Sequence, residues 1–88
     1  MKAYRVETRL VTLYFRSLDG IRRWADQYMK SKKCMFDDGF GNRVTKKFAL
    51  DKKRWEYELN GDERESGFFF NYENSMDYAR ITKIEVME

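Results

Sequence analysis

The 88-residue chain contains no histidine, no proline and one cysteine. Without histidine, general acid–base work would fall to carboxylates, lysine, tyrosine or Cys34. A transition-metal site built around that lone thiol has no imidazole to complete it. The expectation is a non-catalytic protein with no metal and no cofactor. A single cysteine forms no internal disulfide, which suits a reducing compartment. The lack of proline fits a sheet with few forced breaks. No apolar run approaches the roughly 20 residues needed to cross a bilayer. The opening "MKAYRVETRL" enters a strand pattern at once, with no apolar leader. A cytoplasmic protein with no membrane partner is therefore expected.

What is present supports an ordered fold. Apolar residues make up 42% and aromatics 17%, and a charged fraction of 38% leaves a net charge of only +3. Disorder needs low hydrophobicity together with strong charge imbalance, so one folded domain over residues 1–88 is expected. The charge is segregated along the chain. Residues 1–54 hold fifteen Lys/Arg against six Asp/Glu (+9), and residues 55–88 hold three against nine (−6), which sum to +3. Such asymmetry makes a basic and an acidic surface if the fold keeps the halves apart, or cross-strand ion pairs if it interleaves them.

Residues 3–16 alternate as a strand whose phase slips near Leu10–Val11, which calls for a bulge or bend. Fully extended, fourteen residues would cover about 46 Å, too long for so small a domain. "SLDGIRRWADQYMKSKK" places Leu18, Ile21, Trp24, Ala25, Tyr28 and Met29 on one helical face, with Ser17 or Asp19 as the cap and Trp24 as the main anchor. "CMF" is a short strand, and "DDGFGN" is a turn. "RVTKKFAL" and "RWEYEL" alternate as strands, "GFFFNYE" is another, "NSMDYA" is a capped helical turn, and "RITKIEVM" closes the chain as a strand next to the first. The fold class is α+β: a single helix on one face of a mainly antiparallel sheet of four to five strands, in the order β-α-β-β-β-β.

Catalytic readings are thin. Asp37 and Asp38 have magnesium chemistry, but their setting is that of a turn. Gly39 and Gly41 lack the Gly-Lys-Ser/Thr of a phosphate cradle. Cys34 follows cationic residues that would depress its pKa, with no base partner beside it. Binding readings are stronger. Phe68, Phe70 and Tyr72 face the helix, which turns Phe69 outward with Asn71 and Glu73. Tyr14 joins the outer side beside Arg16. Rings beside cations form the usual single-strand surface, since bases stack on rings while cations track phosphates. The candidate phosphate contacts are Arg16, Arg22, Arg23, Lys46, Lys47, Lys52, Lys53 and Arg54, and the candidate base contacts are Tyr14 and Phe69. Lys46, between Val44 and Phe48, also reads as an inward charge that protects an edge strand.

Two other uses fit the same residues. The rings suit a homodimer interface. Alternatively, the acidic loop of Asp62, Glu63 and Glu65, with Glu73, suits a protein target, since a carboxylate row imitates phosphates.

In its stretches "MKAYRVETRL", "YMKSKKCMFDDG" and "RITKIEVME" the chain resembles the small accessory and counter-defence proteins of T-even-like phages. The resemblance implies stoichiometric action on host machinery inside the host cytoplasm, as an RNA-binding antagonist or an inhibitor. The leading expectation is a non-catalytic nucleic-acid-binding protein with RNA or another single strand as partner. The alternative is an inhibitor that binds a host nuclease, polymerase or defence-system protein through aromatic and acidic surface.

Overall fold

Six strands pair antiparallel in one sheet, and helices cover one of its faces. The computed structural model describes residues 2–30, 33–72 and 75–85, with Tyr72 described by its backbone alone. In chain order the elements are β1 (Lys2–Glu7), β2 (Thr12–Phe15), α1 (Leu18–Lys30), β3 (Met35–Asp37), β4 (Arg43–Val44), α2 (Lys46–Ala49), α3 (Lys52–Leu59), β5 (Glu65–Tyr72) and β6 (Ser75–Glu85). The strands run β2-β1-β6-β5-β3-β4 across the sheet. The α+β class is as expected, and the first and last strands are neighbours.

Several expectations change. Residues 3–16 form a hairpin in place of one bent strand, with Val6 opposite Leu13. The phase slip is the turn itself. The Thr8 hydroxyl accepts from the N–H groups of Leu10 and Val11, and the Thr8 N–H donates to the Val11 carbonyl at 2.9 Å.

Residues 46–59 are helical, so the single helix becomes α1 plus a bent segment, α2–α3. Both pieces carry side-chain N-caps. Thr45 accepts from the Phe48 N–H at 3.1 Å, and Asp51 accepts from the Lys53 N–H at 3.0 Å. The alternation of Trp55, Tyr57 and Leu59 is a coincidence of period. Trp55 and Leu59, four apart, are buried, while Tyr57 is 83% exposed. Lys46 therefore guards no edge strand. Residues 75–79 are also extended, as the start of the eleven-residue β6. Asp77, expected in a helical turn, instead accepts from the backbone N–H of Arg9 at 3.0 Å and ties β6 to the β1–β2 turn. Of the two cap candidates for that turn, Ser75 begins β6, while Asn74, Glu73 and the side chain of Tyr72 lie outside the described residues. Among the described residues the strand count is thus six, and the order of elements differs accordingly.

The core lies between the sheet and the helical layer. Trp55, Phe70, Ile21, Ile81 and Val6 are fully buried, each stabilising the fold by roughly 1.5–3 kcal/mol through removal of apolar surface from water. Trp55 stacks on Phe68 at 6.0 Å and donates its indole N–H to the Ala49 carbonyl at 3.1 Å, so it joins the two pieces of the bent segment to β5, beside the buried Ala49, Leu50 and Leu59. Ser17 caps α1 by accepting from the Gly20 N–H at 3.1 Å. Ile21 and Ala25 are the deepest residues of α1. Trp24, half-buried, stacks on Tyr28 at its margin and is not the main anchor.

Candidate nucleic-acid interface

Burial on one face leaves the other face of the sheet open. Register places Tyr14 beside Arg5, Glu7 beside Arg80, and Phe69 beside Tyr78 on that open face. Phe69 is 39% exposed and Tyr14 66%. Tyr14 and Phe69 lie three strands apart in the sheet, about 14 Å across at 4.8 Å per strand. Between them Glu7 takes Arg80 at 2.9 Å and Arg5 at 3.0 Å, and the Arg80 hydrogen bond holds the Glu7 carboxyl below its ordinary range.

The expected lysines are elsewhere. Because 46–59 is helical, Lys46, Lys47, Lys52 and Lys53 belong to the helical layer and do not share the open face with the rings. Arg54 is 18% exposed and structural. Its Nη2 donates to the carbonyls of Gly67 at 2.8 Å and Ala49 at 3.1 Å, and its Nη1 pairs with Glu58 at 3.0 Å. Arg16 is exposed between β2 and α1, and Lys53 is exposed on α3.

Four of the ten expected residues do converge. Arg22 and Arg23 of α1 face Lys46 and Lys47 of α2 across a groove of about 540 Å³, whose walls also include Asp19, Asp26 and Leu50. Asp26 pairs with Lys46, and Asp19 with Lys52 at 3.2 Å, so ion pairs clip α1 to the bent segment. The Lys46 hydrogen bond holds the Asp26 carboxyl below its usual range. Arg22, Arg23 and Lys47 make no ion pair within 4 Å among the described residues.

Of the two aspartates, the sequence marks Asp19 only as a candidate cap and does not mark Asp26. Their signal was available, since positions 19, 22, 23 and 26 follow the helical i, i+3, i+4, i+7 stripe. The motif at Asp37–Asn42 is a turn, and its carboxylates serve the backbone. Asp37 accepts from the Gly39 N–H at 2.7 Å and Asp38 from the Phe40 N–H at 2.8 Å, while Gly39 and Gly41 take the left-handed φ values of 88° and 91°. Cys34 is half-buried against the core. Among the described residues no helix is long and apolar enough to cross a membrane.

Compared with protein-family models, curated proteins and solved structures, the chain matches none.

Proposed function

We propose that this protein binds single-stranded nucleic acid, RNA in preference to DNA, without catalysis, by holding the sugar–phosphate backbone in the groove between α1 and α2. The observation that carries this reading is the convergence of Arg22, Arg23, Lys46 and Lys47 from two helices onto one groove. Cations in such a groove attract a phosphate row and release its counterions. The rings on the opposite face take no part, so bases point away and sequence preference is weak. α1 is clipped alongside the bent segment and projects no free helix into a major groove. Asp19 and Asp26, set among the cations, accept hydrogen bonds from 2′-hydroxyls, which only RNA supplies. The resemblance to phage accessory proteins gives this binding a setting: stoichiometric occupancy in regulation or counter-defence.

The test is fluorescence anisotropy with twelve-nucleotide oligouridylate and oligodeoxythymidylate across 50–200 mM salt. Wild type is compared with the variant Arg22→Gln, Arg23→Gln, Lys46→Gln, Lys47→Gln. Loss of four contacts flattens the log–log salt slope by about 3, at roughly 0.7 per phosphate for single strands. Unchanged affinity and slope would remove the groove from the function. Pull-down of one protein that survives RNase treatment would favour the inhibitor reading instead.

A further inference from the structure

A second groove arises where the sheet is incomplete. β3 pairs with β5 only as far as Asp37 opposite Phe69. In the same register residues 38–41 would lie opposite Phe68 to Glu65, but the chain turns away at Asp38. That stretch of β5 keeps β6 on one side and has no partner strand on the other among the described residues. The gap opens into a cavity of about 530 Å³.

Its apolar part is Phe68 and Ala49 below, Val44 beside them, and the exposed rings of Phe48 and Phe69 at the sides. Around these sit five carboxylates, Asp37, Asp38, Glu58, Glu63 and Glu65, against two guanidiniums. Both guanidiniums are engaged. Arg80 holds Glu7, and Arg54 holds Glu58, lies 4.6 Å over the Phe48 ring, and donates to the Gly67 carbonyl. Asp37, Asp38, Glu63 and Glu65 make no ion pair within 4 Å among the described residues.

An open strand edge is normally blocked, because it invites another strand. Here the block is the Arg54–Glu58 pair of α3: the guanidinium takes the Gly67 carbonyl, whose oxygen keeps a second lone pair, and the carboxylate takes the Ser66 hydroxyl at 2.7 Å. We infer that this groove takes an extended basic segment of a partner protein by strand addition to the Glu65–Phe68 edge. The backbone of the segment pairs with β5, which gives affinity. Alternate Lys or Arg side chains reach Glu63, Glu65, Asp37 and Asp38, and the intervening apolar side chains enter between Phe48 and Phe69, which gives selectivity. A phosphate chain is repelled by the same carboxylates. The inference goes beyond the nucleic-acid reading and does not depend on it.

The probe is a fluorescent, end-capped octapeptide of alternating Lys and Val, titrated into the full chain. Controls are the Glu–Val octapeptide, two Lys–Val peptides N-methylated on opposite alternate residues, and the Glu63→Lys, Glu65→Lys variant. Both variant positions are exposed, and the peptide controls need no variant at all. Binding of the Lys–Val peptide is expected, at least tenfold weaker for the Glu–Val peptide, for the double variant and for one of the two methylation patterns. Amide shifts are expected along Glu65–Phe68 and Asp37–Gly39. No binding at millimolar peptide, equal binding of both methylated peptides, or shifts confined to α1 and α2 would each overturn the inference.

Discussion

The groove between α1 and α2 and the gap beside β5 have nearly the same volume, about 540 and 530 Å³, yet opposite charge and different uses of arginine. In the first, Arg22 and Arg23 stand exposed, and the acids are the minority, each clipped to a lysine. In the second, Arg54 is drawn into hydrogen bonds with three carbonyls and the Glu58 carboxylate, and the other four acids make no ion pair within 4 Å among the described residues. The difference is made by helical rotation. The basic run 43–54 looks like one patch in sequence, but at 3.6 residues per turn its members leave the helix in different directions. Lys46 and Lys47 face α1, Lys52 reaches Asp19, and Arg54 reaches Gly67. Clustering in sequence is therefore a poor guide to a shared surface unless the period is known.

The largest blow to both grooves is removal of their common support. Trp55→Ala should destabilise the fold by about 3–5 kcal/mol, because it leaves a cavity beneath the bent segment and removes one of the two donors to the Ala49 carbonyl. Urea denaturation measures it, and loss of nucleic-acid binding should follow loss of fold.

Arg54→Met separates the two regions. It leaves the Gly67 and Phe48 carbonyls without their guanidinium and the Ala49 carbonyl with Trp55 alone, which should cost about 1–3 kcal/mol. RNA affinity should stay within twofold of wild type, since Arg54 belongs to the β5 side. A large fall in RNA affinity with intact fold would return Arg54 to the phosphate-binding set.

The smallest expected change in stability comes from Asp19→Asn with Asp26→Asn, which break exposed ion pairs worth little. Binding should nevertheless tighten severalfold at low salt for RNA and DNA alike, while the RNA-to-DNA ratio falls as the charged 2′-hydroxyl acceptors are lost. The same variant sharpens the pH response. The Asp26 carboxyl is held below its ordinary value by Lys46. Its contribution to stability is therefore present above the unfolded value near pH ~4 and lost as pH falls through the lower, folded value. Acid unfolding followed by circular dichroism should accordingly be slightly shallower in the Asn variant than in wild type.

Much of this architecture was legible before any coordinates. Leu18, Ile21, Ala25 and Met29 announced α1 by their spacing, and the Asp-Asp-Gly-Phe-Gly-Asn run announced the β3–β4 turn. The triple phenylalanine told its own orientation, with Phe68 and Phe70 inside and Phe69 out. The bent segment reads as strand because Trp55, Tyr57 and Leu59 alternate with period two, although Trp55 and Leu59 also fit period 3.6. A second signal pointed the other way, since no Val, Ile or Thr occurs between Lys46 and Arg64, and strands favour such residues. For the site, residue type was readable but placement was not. Tyr14 and Phe69 lie on the open face, while Arg22, Arg23, Lys46 and Lys47 meet on the other side through a contact between segments more than twenty residues apart. The acid-rimmed gap depends on where β3 stops pairing, which no local pattern encodes.

The most direct test of the central claim is a titration of isotope-labelled protein with oligouridylate, followed by backbone amide shifts. The account requires shifts grouped on α1 and α2 around Arg22, Arg23, Lys46 and Lys47, with the sheet quiet. Shifts grouped instead on Tyr14, Phe69 and Tyr78, with the two helices silent, would contradict it.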